Sequence, residues 1–159
     1  MLHKAKGFTL IELVVVITIL GILAAVALPR LINAQTDARI AKAQALYGSV
    51  RSASALAKSR CELDLARGLT DAGTCGNATQ QVTMDGVTVN MVNRYPAATI
   101  AGIVTAAQID DANDGVAIDE TGPLTISIDG ATTAANCRIT YTAAAANASP
   151  TISLVTTGC

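Results

Sequence analysis

The chain has 159 residues and a formal net charge of −1, with 51% hydrophobic residues but one Phe, three Tyr and no Trp. That is too apolar and too nearly neutral for a disordered chain, and it is one domain's worth of sequence, long enough for a core. Lys and Arg exceed carboxylates by four between Arg30 and Arg67, whereas carboxylates exceed them by six from Gly68 onward. A basic stem therefore precedes an acidic head, and neither has the strongly basic face that nucleic acid selects.

The first element is an apolar run, Phe8 to Leu28, interrupted only by Thr9, Glu12, Thr18 and Gly21. As a helix these residues span roughly 30 Å, the thickness of a bilayer's hydrocarbon core. Lys4 and Lys6 precede the run and favour a cytoplasmic start, which places the rest of the chain outside the cytoplasm. A secretory signal peptide accounts for the basic start and for Ala25-Val26-Ala27 as an A-x-A site. It does not account for Glu12, because a carboxylate inside such a helix costs on the order of 3 kcal/mol. A plain membrane anchor leaves Glu12 equally unexplained, since Phe8 to Leu28 contains no basic residue. Cutting the chain between Gly7 and Phe8 would create an α-amino group one turn ahead of Glu12, about 6 Å along the axis. A neighbouring copy shifted by that distance brings its amine level with this carboxylate, which is an assembly device.

The string Gly7-Phe8-Thr9-Leu10-Ile11-Glu12, after a short basic leader, resembles the prepilin signal of type IV pilins and of the related pseudopilins of type II secretion. The resemblance implies cleavage after Gly7 by a prepilin peptidase and N-methylation of Phe8. It implies that the apolar helix is retained as the packed core of a filament, with Glu12 neutralising the amine of the adjacent subunit. Gly21 and Pro29 fall where helices of this family loosen in assembled fibres. Independently, Gly costs about 1 kcal/mol in a helix interior, and Pro29 leaves the Ala25 carbonyl without its i+4 donor.

From Pro29 the pattern changes. Leu31, Ala34, Ala38, Ala41, Ala45, Tyr47 or Gly48, Ala53, Leu56 and Ala57 recur at three- and four-residue steps. This predicts an amphipathic continuation of the helix over residues 30–60, with a thin Ala-rich stripe packed on a sheet. The stretch Pro29 to Arg39 also resembles, more locally, the mannose-sensitive haemagglutinin branch of the type IV pilins. Short alternating runs follow. Val82 and Met84, then Asp85-Gly86, then Val87, Val89 and Met91 predict a hairpin. Leu124, Ile126 and Ile128 alternate before Asp129-Gly130, as do Ile139 with Tyr141 and Ile152 with Leu154, and residues 97–109 suit a short helix. The expected fold is α+β and pilin-like: a long N-terminal helix whose hydrophobic half protrudes and whose amphipathic half packs on a small antiparallel sheet. The expected organisation is a leader (1–7), an assembly helix (8–29), its amphipathic continuation (30–60) and a disulfide-linked head (61–159).

Cys61, Cys75, Cys137 and Cys159 lack C-x-x-C spacing, and in an exported chain they are expected to oxidise. Three pairings are possible. Cys61–Cys75, tying the stem to the next loop, and Cys137–Cys159, resembling the disulfide-bounded loop of many pilins, are favoured. The acidic stretch Asp110 to Gly115 fails the EF-hand pattern, because Ala112 holds its third position and no Glu its twelfth, so it is read as a solvated turn. Asn77-Ala-Thr79 and Asn147-Ala-Ser149 match the glycosylation triplet but are read as turn residues. His3, the single His, lies in the leader, so no His-based triad or metal site is expected, and neither enzymatic activity nor a cofactor.

The expected function is a structural subunit of a bacterial type IV pilus for adhesion, attachment or motility, and the alternative is a pseudopilin of a type II secretion system. Its expected partners are further copies in a helical filament, the prepilin peptidase and the inner-membrane assembly machinery, without nucleic acid. The chain would sit in the inner membrane before assembly and on the cell surface afterwards.

Overall fold

A computed structural model of the chain describes residues 8–76 and 78–159, so the leader, Gly7, His3 and Asn77 lie outside the described residues. Helix α1 covers Leu10–Ala66. It ends where Gly68 adopts φ +67°, with the Gly68 amide bonded to the Leu65 carbonyl and the Leu69 amide to that of Asp64, both at 3.0 Å. This pair of bonds satisfies two carbonyls that the helix end would otherwise leave open. The helix therefore runs past the expected limit at residue 60, and Cys61 lies within it. Residues up to Asp37 form one unit and Ala38–Cys159 a second, more densely packed one.

Among the described residues of the second unit, seven strands form two antiparallel sheets. The three-stranded sheet has the order β1 (Gln81–Met84), β2 (Val87–Val92), β3 (Tyr95–Pro96). The four-stranded sheet has the order β4 (Val116–Asp119), β5 (Leu124–Ile128), β6 (Arg138–Thr142), β7 (Thr151–Val155). Each sheet is a meander, so every pairing is between chain neighbours. Met84 pairs with Val87 across Asp85-Gly86, whose φ values of +48° and +80° make the tight turn that the Asp-Gly pair favours. Together the helix and sheets make an α+β fold of the pilin-like kind.

The helix stripe that packs inward is Ala43, Val50, Ala53, Ser54, Ala57, Cys61 and Asp64. It differs from the expected one: Ala53 and Ala57 are shared, but Ala38, Ala41, Ala45, Gly48 and Leu56 face solvent. Alanines are distributed round the whole stem, so apolar spacing alone does not choose a face, and two polar residues that join the buried side are invisible to it. Ala43, Val50 and Ala53 belong to a core with Leu124, Ile126, Ile128, Ile139 and Tyr141 of the four-stranded sheet. Further along, Ala57 and Cys61 pack with Cys75 of the following loop and with Val82, Val89 and Met91 of the three-stranded sheet. Small side chains permit this close approach. At the stem's edges Lys42 donates to the Gly115 carbonyl at 2.8 Å and Arg39 to that of Cys159 at 3.0 Å.

Two segments depart from the sequence reading. Residues 97–109 make a wide helical turn at Ile100–Val104, bent at Gly102, rather than a regular short helix. A side chain at Gly102 would meet the Ala97 carbonyl, which explains Gly at the bend. Strand β4 follows directly on the acidic turn, its Val116 and Ile118 pairing with Ile128 and Ile126.

The four cysteines form Cys61–Cys75 and Cys137–Cys159, with Cα–Cα separations of 4.9 and 4.8 Å. Loops of 14 and 22 residues closed in this way each contribute about 3 kcal/mol. Inside the first loop the fully buried Asp64 accepts from the Cys75 amide at 3.3 Å and lies 3.1 Å from the Arg60 guanidinium. Asp64→Ala is expected to lower stability by about 2 kcal/mol, the value of a hydrogen-bonded buried charge. Chemical denaturation of the oxidised protein checks this, and a loss indistinguishable from zero contradicts it.

Tyr141 is fully buried and donates to the Pro96 carbonyl at 2.8 Å, joining the two sheets. Burial pushes its phenol up to about 12, above the ordinary value of 10.0. The protonated phenol thus contributes fully below about pH 10, and the contribution is lost as pH rises towards 12. Denaturation across this window is expected to show a loss on the order of 2 kcal/mol that Tyr141→Phe lacks. Parallel pH profiles for the two proteins contradict it.

Candidate assembly site

The start of α1 is built by Thr9 and Glu12. Glu12 Oε2 accepts from the Thr9 amide at 2.9 Å and from the Thr9 hydroxyl at 2.8 Å, while the Glu12 amide donates to Thr9 Oγ1 at 3.2 Å. This is a reciprocal capping box, in which a Thr and a Glu three residues on satisfy amides that the first turn leaves open. A carboxylate there also suits the positive end of the helix dipole. Sequence reasoning missed the role of Thr9, although Thr-x-x-Glu directly before an apolar run is its signature. Glu12 therefore brings its own donors within the chain, and these occupy only one carboxylate oxygen.

Around this cap the helix is apolar on every side. An 18-residue window within α1 reaches a mean hydropathy of 2.8 with none of it buried within the chain, long and apolar enough to cross a membrane. Phe8 is 92% exposed, and Leu10 and Ile11 are 80% and 70% exposed. Such a surface requires lipid or other apolar helices around it. Thr18 spends its hydroxyl on the Val15 carbonyl at 2.8 Å, so it presents no free donor to that surroundings.

Phe8 and Glu12 lie at one end of the helix, and Pro29 follows Glu12 by about 25 Å along the axis. The helix is unbroken through Gly21 and Pro29 in the single chain. Apart from the helix's own neighbouring backbone, no atom lies within 4 Å of a Cβ placed at Gly21. Gly7 falls outside the described residues, and the four cysteines belong to the other unit.

The acidic turn uses its carboxylates on itself. Asp110 accepts from the Ala112 amide at 3.0 Å and from the Asn113 side chain, and the Asp110 amide donates to Asp114 Oδ2 at 2.9 Å. The Asn113 bond and then the Ala112 amide hold the Asp110 carboxyl below its usual range. Among the described residues no group of three His, Cys, Asp or Glu is gathered as a metal site.

The description "Prokaryotic N-terminal methylation motif" fits residues 2–28. Over 54 residues the chain is 52% identical to the type IV narrow pilus major component PilA5 of Thermus thermophilus, covering 34% of this chain and 47% of that one. It is 48% identical over 52 residues to the fimbrial protein EcpB of Eikenella corrodens, a third of each chain. It is 44% identical over 48 residues to the type IV major fimbrial protein FimA of Dichelobacter nodosus, 30% of this chain and 31% of that one. The chain thus spans less than half the length of the relatives it matches. No solved structure gives a significant match. The methylation motif over residues 2–28, with Glu12 inside it, and the N-terminal third matched by these relatives are similar in sequence to type IV pilins.

Proposed function

We propose that the chain is a structural subunit of a bacterial type IV pilus, assembled through its N-terminal helix into a surface filament for adhesion, attachment or motility. The observation that carries this reading is Glu12, a carboxylate set at the start of a helix with no buried face over residues 10–35. A prepilin peptidase cuts between Gly7 and Phe8, and Phe8 is then N-methylated. The new amine pairs with Glu12 of an adjacent copy, using the carboxylate oxygen that Thr9 leaves open. Gly21 and Pro29 are the places where the helix loosens as copies pack, because one lacks a side chain and the other lacks an amide.

In this reading residues 1–7 are the removed leader, 8–29 the transmembrane and assembly helix, 30–60 its amphipathic continuation and 61–159 the head, into which the last turns of the helix, to Ala66, extend. The subunit waits in the inner membrane, is taken up by the assembly machinery and ends in a filament outside the cell. The relatives' names, a pilus major component and fimbrial proteins, support a pilus rather than a secretion pseudopilin. The two disulfides suit an oxidising location for the head. Its role is mechanical, with no enzymatic step.

N-terminal sequencing of the mature chain is expected to begin at N-methylated Phe8; a mature start after Ala27 contradicts the proposal. Glu12→Val is expected to insert and be cleaved normally yet to enter filaments at least about tenfold less, since losing about 1.4 kcal/mol of pairing is already tenfold. Sheared-filament yield against membrane-bound subunit measures this, and wild-type piliation by the variant would remove the pairing from the mechanism.

A further inference from the structure

In the Ala38–Cys159 unit a groove of about 290 Å³ opens between α1, the turn joining β2 to β3, and the loop joining β6 to β7. It is lined by Lys58 and Glu62 of the helix, Arg94 of the turn, Tyr95 at the start of β3, and Asn147 and Ser149 of the loop. Lys58 Nζ sits 4.9 Å from the centre of the Tyr95 ring, the Tyr95 and Ser149 hydroxyls are 3.1 Å apart, and Arg94 Nη1 lies 3.3 Å from Glu62 Oε1. Behind the rim, the Asn93 side chain donates to the Ala144 carbonyl at 2.8 Å and fixes turn to loop.

The backbone at this groove is unusual. Six described residues other than Gly have positive φ, and Asn93 (+50°), Arg94 (+71°) and Asn147 (+60°) all line it. Two-residue hairpin turns of this kind favour Asn followed by Gly, because the second position strains a side chain. Here Arg stands where Gly would relax the turn. Backbone strain retained at one concave site is the pattern of positions kept for binding rather than for folding.

The chemistry of the lining selects a ligand class. Arg94 spends one of its five donors on Glu62 and keeps the others for a second carboxylate, which a guanidinium grips in bidentate fashion. Lys58 adds a second cation, and its ammonium is held charged by Tyr95, whose phenol it pushes below the ordinary range. Glu62, in turn, accepts hydrogen bonds and repels dense negative charge, which argues against phosphate and nucleic acid. The hydroxyls of Tyr95 and Ser149 and the Asn147 amide both donate and accept. A ligand satisfying all of these carries a carboxylate and several hydroxyls on one small ring. We infer that this groove binds a uronic acid unit of an acidic polysaccharide, its carboxylate on Arg94 and Lys58 and its ring hydroxyls on Glu62, Asn147 and Ser149.

Titration calorimetry on the full chain in detergent, with a short oligoglucuronate and an oligoglucose of equal length, tests the inference without requiring a filament. The oligoglucuronate is expected to bind at least about tenfold more tightly, the difference that one charge-assisted pair supplies. Lys58→Met and Arg94→Gly are each expected to weaken it at least about tenfold. Arg94→Gly separates binding from folding, because Gly accepts φ +71° without strain and the variant should melt no lower than the parent. Equal affinity for the two saccharides, unchanged affinity in Arg94→Gly, or equally tight binding of inorganic phosphate or duplex DNA at these residues would overturn the inference.

Discussion

The close approach of an Ala-rich helix to two antiparallel sheets is the constraint on which the Ala38–Cys159 unit depends. Ala43 and Ala53 contribute little area each, so packing density has to come from the sheet side, where Leu124, Ile126, Ile128, Ile139 and Tyr141 supply the volume. Because the helix offers so little to grip, it is also tied at its edges. Arg39 and Lys42 bond backbone carbonyls of distant segments, and Cys61 is cross-linked to Cys75. With one Phe and no Trp in the chain, a large aromatic core is not an option. Tyr141 is the exception, and its hydroxyl is spent on linking one sheet to the other.

The same helix meets different demands along its length. Over residues 10–35 no side chain is buried, and β-branched residues such as Val14, Val15, Val16 and Ile17 stand in the open. Over the stem, one side is buried while Ala38, Ala41, Ala45, Gly48, Ser52 and Leu56 form an uncharged outer side. A helix with no buried side in one part and one side packed on its own sheets in the other has no single amphipathic period. The compositional break at Pro29 marks the change.

Much of this was legible from residue order. Asp85-Gly86 between alternating runs specified its hairpin, and Leu124, Ile126 and Ile128 declared a buried strand face, because a period of two has few competing explanations. The inward side of the stem was not legible, since alanine occurs on every side and the deciding residues include Ser54 and Asp64, whose burial depends on partners far along the chain. Strand β4 was hidden because Val116 and Ile118 are embedded among carboxylates and become a strand only through β5. The Thr9 cap was readable and was overshadowed by the question of how Glu12 would be neutralised. The groove beside Lys58 was beyond reach, because it joins three segments that only the folded topology brings together.

The cap has a further consequence for the timing of assembly. Glu12 holds two donors from Thr9, which follows Gly7 and Phe8 in the chain, so the proposed cut would leave both bonds in place. Under the proposed assembly such a subunit could be stockpiled, its carboxylate held locally through one oxygen while the other stays open for the amine of an arriving copy. In that case fibre growth would draw on subunits whose acidic group is already held in place.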